Sequence, residues 1–109
     1  MKKGEIWLVE LPSNNGHEQA GTRPVIILAE TKINIAIILP LTSNLQALRF
    51  PDTIEVKPTH ENGLKAISVA LVFQIRAIDR KRIRNKIGYI ESPILNEIDE
   101  ILKVLLNIK

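Results

Sequence analysis

Three short polar segments interrupt an otherwise aliphatic chain, and they carry the side chains whose types could do chemistry. The first is Gly16-His17-Glu18-Gln19-Ala20-Gly21-Thr22-Arg23-Pro24. It holds an imidazole, a carboxylate, an amide and a guanidinium, between glycines that let the backbone turn or approach a ligand closely. Arg23 stands directly before Pro24 at the edge of an apolar run, where a solvated charge is not expected by default. The second segment is Leu41-Thr42-Ser43-Asn44, which follows the apolar run ending at Leu39. Its two hydroxyls and one amide suit phosphate oxygens, and they are equally the residues that build turns. The third is Phe73-Gln74-Ile75-Arg76-Ala77-Ile78-Asp79, in which Gln74, Arg76 and Asp79 leave a β run while Ile75 and Ile78 stay apolar. Taken singly, it reads as a strand end followed by a turn.

The elements around these segments read mostly as strands. Ile6-Trp7-Leu8-Val9 is a short apolar run ended by Pro12 and the polar stretch Ser13-Asn14-Asn15-Gly16. Val25 to Ala29 and Ile35 to Leu39 are dense in Val, Ile and Leu, and Glu30 to Asn34 joins them tightly. Pro24 and Pro40 fall just outside those runs, where a missing N–H does least harm to a ladder. Thr53 to Lys57 alternates as a strand, Asn62-Gly63 signals a turn, and Ile67 to Phe73 is a further strand. Lys86 to Ile90 adds a short one. The end of the chain is helical by pattern, with Ser92 as N-cap, Pro93 at the first helical position, and Ile94, Ile98, Ile101 and Leu105 at helical spacing. Five or six short strands followed by one amphipathic helix predict a mainly β fold, a small barrel with a C-terminal helix packed on it.

Composition narrows the function classes. The chain has 109 residues, enough for one core, so residues 1–109 form a single domain. It contains no cysteine, which removes disulfides, thiol nucleophiles and cysteine-based metal sites. The two histidines, His17 and His60, do not make a multi-histidine metal centre, so no metal or cofactor is expected. A charged N-terminus, Met1-Lys2-Lys3-Gly4-Glu5, with no apolar segment behind it, and an uncharged run from Ile33 to Leu48 that is broken by Pro40, point to a cytoplasmic protein. Net charge is +3, and Arg76, Arg80, Lys81, Arg82, Arg84 and Lys86 cluster against one acid, Asp79. Such a run can follow a phosphate backbone, or can simply be a solvated face.

In combination the segments say more. Gly4-Glu5-Ile6-Trp7, then Gly16 to Pro24, then Leu39-Pro40-Leu41-Thr42-Ser43, then Gln74 to Asp79, occur in an order that resembles the MazF/PemK family of toxin endoribonucleases. The resemblance runs from Gly4 to the terminal helix. It implies an SH3-like barrel of the plasmid-maintenance-toxin type, a homodimer, cleavage of single-stranded RNA without metal, and neutralisation by a cognate antitoxin. It carries the catalytic pair of MazF-type members onto Arg23 and Thr42. Glu18, Gln19, Ser43, Asn44, Gln74 and Arg76, from the same three segments, are the expected RNA contacts.

That chemistry suits the residues present. RNA carries its own nucleophile, the 2′-OH, so the protein must accept a proton, protonate the leaving 5′-oxygen and stabilise the phosphorane. A guanidinium is a planar cationic fork suited to phosphate, and with an ordinary pKa of roughly 12.5–13.8 it stabilises charge better than it accepts protons. An imidazole titrates at about 6.5, which makes His17 the candidate for proton transfer. Some positions depart from the family pattern. Leu71 and Phe73 stand where PemK-type members use an arginine and an acid, and Phe73 also replaces the acid that MazF-type members often keep. The short Glu30 to Asn34 turn suggests a narrowed groove. A non-cleaving barrel that binds RNA, or a protein such as a topoisomerase, is the competing expectation.

Overall fold

Aliphatic alternation builds two long central strands, and everything else pairs outward from them. The computed structural model describes residues 1–12 and 21–108. Strand β1 (Glu5–Leu11) pairs antiparallel with β2 (Gly21–Glu30), which pairs with β3 (Ile35–Thr42). Strands β4 (Thr53–Val56), β5 (Ser68–Leu71), β6 (Arg76–Asp79) and β7 (Ile83–Tyr89) follow, and helix α1 (Ser92–Leu105) ends the fold. The sheet runs β4-β5-β3-β2-β1-β7, and β6 pairs with the first half of β3. The mainly β architecture with a C-terminal helix therefore holds.

Alternate residues of β2 and β3 feed two apolar layers. Ile26, Leu39 and Leu41 point with Ile6 and Val56 into a core covered by Ile94, Leu95, Ile98, Ile101 and Leu102 of α1. Val25, Ile27, Ala36 and Ile38 form the second layer with Val9, Leu11 and Ile78. Burial of these side chains is the main stabilising term, worth roughly 1.5–3 kcal/mol for each large aliphatic residue.

The sheet is not closed by strand pairing among the described residues; a loop forms the seam instead. The chain between β4 and β5 lies against the end of β7, where the Tyr89 N–H donates to the Glu61 carbonyl at 2.9 Å. Gly63 (φ +68°) and Gly88 permit this approach, because a Cβ on either would collide with backbone of the opposite segment. Asn62, fully buried, stitches the seam. Its Oδ1 accepts from the N–H groups of Thr59 and Leu64, and its Nδ2 donates to the Lys57 carbonyl at 2.9 Å and to Glu91 Oε1 at 3.2 Å.

Several boundaries differ from those read in the sequence. Pro24 and Pro40 lie inside β2 and β3 rather than outside them, Pro24 opposite Leu8 and Pro40 opposite Val25. The segment read as a turn after Gln74 is strand β6, held by β3, and β7 is longer than the Lys86 to Ile90 run. Phe73 belongs to a 3₁₀ turn, Val72–Gln74, and not to β5. Helix α1 begins one residue earlier than expected: Glu91, not Ser92, occupies the cap position, and its carboxylate is engaged with Asn62 instead of the helix N–H groups. Gly88→Ala is expected to destabilise the fold by about 3 kcal/mol through backbone collision at the seam, measured as the urea-unfolding midpoint and slope.

Candidate functional site

The missing N–H groups of Pro24 and Pro40 shape the most distinctive surface. The β2–β3 ladder ends at the Val25–Pro40 pair. Beyond it, β2 continues against β1, with Arg23 opposite Val9, while β3 turns its last residues to β5, with Leu41 opposite Ala70 and Thr42 opposite Val69. The two strand ends part, and a cleft of about 310 Å³ opens between them, lined by Thr22, Arg23, Leu41, Ser43, Lys65 and Ser68 among others.

Thr42 lines a second cleft of about 360 Å³, together with Asn44, Arg49, Phe50, Phe73 and Gln74. Strand alternation explains the division, since Leu41 and Ser43 face one side of β3 and Thr42 and Asn44 the other. Arg23 and Thr42 flank the point at which the two strands part. Each lies two residues past the last paired position of its strand, Val25 for one and Pro40 for the other. Thr42 is only 6% exposed, and its Oγ1 accepts from the Asn44 N–H at 3.2 Å. Asn44 in turn caps the 3₁₀ turn Leu45–Arg49 by accepting from the Gln46 N–H at 3.1 Å.

Of the residues singled out by sequence, Arg23 and Ser43 therefore share one cleft, and Thr42, Asn44 and Gln74 share the adjoining one. Arg76 sits on β6 opposite Ile38, apart from both clefts. His17, Glu18 and Gln19 lie outside the described residues. Sequence reasoning missed Lys65, which the Asn62-Gly63 turn delivers to the Arg23 cleft. It also missed Arg49 and Phe50, although an arginine beside an aromatic in a polar stretch is a visible cue.

The basic run from Arg76 to Lys86 is less exposed electrically than its composition suggests. Strand pairing brings acids from the other end of the chain alongside it: Glu30 holds Arg80 at 2.7 Å, Glu10 holds Arg84, and Glu5 holds Lys86 at 3.1 Å. Glu5 is the most strongly perturbed of these acids. The Trp7 indole N–H, at 3.0 Å, leads in stabilising its carboxylate, and the Lys2 N–H and Lys86 ammonium add to this, moving its pKa from the usual 4.5 to about 2 against the opposing effect of burial.

With this geometry in view, the chain can be set beside known proteins. The family model for PemK-like, MazF-like toxins of type II toxin–antitoxin systems matches residues 2–106. The chain belongs to that family. A relative in Bacillus subtilis (strain 168), Endoribonuclease EndoA, is 30% identical over 110 residues, covering 97% of this chain and 94% of that protein. Among solved structures, MazF from Deinococcus radiodurans superposes with a TM-score of 0.80 at 25% identity, over 99% of this chain and 97% of that one. A MazE–MazF structure from the same organism matches at 0.73 and 23% identity, covering 100% of this chain and 97% of that one. The MazF/PemK resemblance of the three polar segments thus reflects membership across nearly the whole chain.

Because Glu5 has a lowered pKa in the folded toxin, its contribution to stability is complete above about pH 4.5 and is lost as pH falls toward 2. Glu5→Gln is expected to flatten that part of the acid-unfolding profile, followed by the thermal midpoint between pH 5 and pH 2.

Proposed function

We propose that this MazF/PemK-family toxin is a metal-independent endoribonuclease that cuts single-stranded RNA, leaving a 2′,3′-cyclic phosphate and a 5′-OH. The observation that carries the reading is the parted β2–β3 end, where Arg23 lines a cleft open to a polymer and Thr42 lines the adjoining one. An RNA strand laid across the end of β3 passes from one cleft to the other. The Arg23 guanidinium then faces the scissile phosphate and stabilises the charge that accumulates on the phosphorane oxygens. The Thr42 hydroxyl, already accepting from the Asn44 N–H, donates its proton to a non-bridging oxygen. Ser43, Asn44 and Gln74 contact the strand on either side, and Arg76, with Glu18 and Gln19, extends that contact.

In the reaction, the 2′-OH gives its proton to a base and its oxygen attacks phosphorus. The bond from phosphorus to the 5′-oxygen breaks, and that oxygen takes up a proton. We assign the proton acceptor to His17, for the titration range of an imidazole. Two assembly statements belong to the same reading. The toxin is a cytoplasmic homodimer, favoured by apolar side chains left outside the core such as Val104, which is 82% exposed, and Ile108. It is silenced by an antitoxin whose extended acidic segment covers the clefts, in keeping with the toxin's net charge of +3.

The test is sequencing of 5′ ends after incubating mixed RNA with the purified toxin in EDTA. Discrete cut sites are expected, with Arg23→Ala slower by about 10²-fold or more while its thermal midpoint is unchanged. Binding of RNA without any new ends would sink the nuclease reading in favour of a non-cleaving module.

A further inference from the structure

The Thr42 cleft carries a feature that phosphate chemistry leaves unused. Two aromatic rings from separate parts of the chain meet at its rim. Phe50 follows the 3₁₀ turn Leu45–Arg49, and Phe73 sits in the 3₁₀ turn Val72–Gln74. Their centroids are 5.9 Å apart with an interplanar angle of 62°, an edge-to-face pair. The rings are 45% and 38% exposed. The chain has four such aromatic residues in all, two Phe, one Trp and one Tyr, so placing both phenylalanines at one cleft concentrates half of them there.

The surroundings indicate what the pair is for. The Arg49 guanidinium lies 5.1 Å from the Phe50 centroid, which adds a cation and a second planar group to the rim. Asn44, Gln46 and Gln74 supply amides around the same cleft. In an edge-to-face pair one ring gives a face to its neighbour, while the ring that offers its edge keeps its own faces for a further partner. A cleft of about 360 Å³ is at the small end of ligand sites, suited to one planar heterocycle. Planar apolar faces, a guanidinium and amides that can both donate and accept are the groups that hold an unstacked base in a single-stranded nucleic acid.

The rings are also held in place rather than loosely displayed. Asn44 caps the turn leading to Phe50, whose N–H donates to the Ala47 carbonyl at 3.1 Å. The Val72 N–H donates to the Asp52 carbonyl at 3.1 Å, tying the turn that carries Phe73 to the chain just beyond Phe50. We infer that Phe50 and Phe73 form a stacking site for one unpaired RNA base, next to Thr42, with Arg49 and the three amides around its edge. The inference rests on the RNA reading above and specifies where a base flanking the cut is held.

The test uses the full-length toxin and a short 2′-O-methyl oligouridylate carrying one 2-aminopurine, which cannot be cleaved because its 2′-oxygens are blocked. Stacking is expected to quench the 2-aminopurine fluorescence on binding. Phe73→Ala should weaken binding by about 5- to 100-fold, the range for loss of one base–aromatic stack. Phe73→Trp should retain both quench and affinity. Phe73→Leu, which keeps apolar bulk without a π-face, should behave like Phe73→Ala, with thermal midpoint and sedimentation mass matching the parent. The inference is overturned if the parent gives no quench, if Phe73→Leu binds as tightly as the parent, or if Phe73→Ala splits an assembly of chains while leaving the quench intact. The last result would make the patch a contact between copies. A parent protein that cuts RNA but gives no quench removes the stacking site alone, whereas one that neither cuts nor binds RNA removes the nuclease reading as well.

Discussion

Two absent backbone donors organise the cleft-bearing end of this toxin. A proline contributes no N–H to a ladder, so β2 and β3 cannot remain zipped past the Val25–Pro40 pair without leaving carbonyls unsatisfied. Each strand finds another neighbour instead: β2 stays on β1 to its first residue, and β3 passes its last two to β5. The cost of the lost pairing is modest, because a ladder bond contributes only about 0.5–1.5 kcal/mol net and the freed groups face an open cleft. The gain is a gap with rigid strands on both sides. Arg23 is fixed by its pairing with Val9, and Thr42 by its pairing with Val69, so their backbones are set before any substrate arrives.

The same strand pairing redistributes charge. Along the chain, six basic residues between Arg76 and Lys86 face one acid. In the fold, Glu5, Glu10 and Glu30 come alongside from β1 and β2 and take up Lys86, Arg84 and Arg80. Exposed pairs of this kind add little stability, but they reduce the unbalanced positive charge along β7. Arg23, Lys65 and Arg49, which a window count treats as scattered, are the cations that line the two clefts. A count of charges in sequence therefore overstates the unbalanced charge along β7, and antiparallel register is the physical reason.

What the sequence disclosed follows the same division between local and non-local effects. The apolar runs of β1, β2 and β3 and the periodicity of α1 are local, and they were legible. Arg23, which lines a cleft, also stands out locally, as a charge before a proline at the edge of an apolar run. Strand β6 was not legible, since Arg76–Asp79 carries a turn-like composition and is extended only because the first half of β3 offers it an edge. The cap at Glu91 was hidden for a related reason: its carboxylate serves Asn62, 29 residues away. Lys65 and the Phe50–Phe73 pair depend on where two loops come to rest, which no window of sequence contains.

The seam and the clefts are one mechanical unit. The loop whose Gly63, Leu64 and Lys65 wall the Arg23 cleft is the loop that closes the sheet. It is gripped at three points: Asn62 ties it to the start of α1 through Glu91, Gly63 presses on Ile87, and the Glu61 carbonyl takes the Tyr89 N–H. A wall held this way would cost little further ordering on binding a ligand, because its backbone hydrogen bonds are already made. Lys65, exposed on that wall, keeps the freedom of a long side chain and can follow a phosphate across the cleft. Rigid backbone with one adjustable cation is the combination that the proposed RNA site requires, since it would hold a flexible polymer at one linkage.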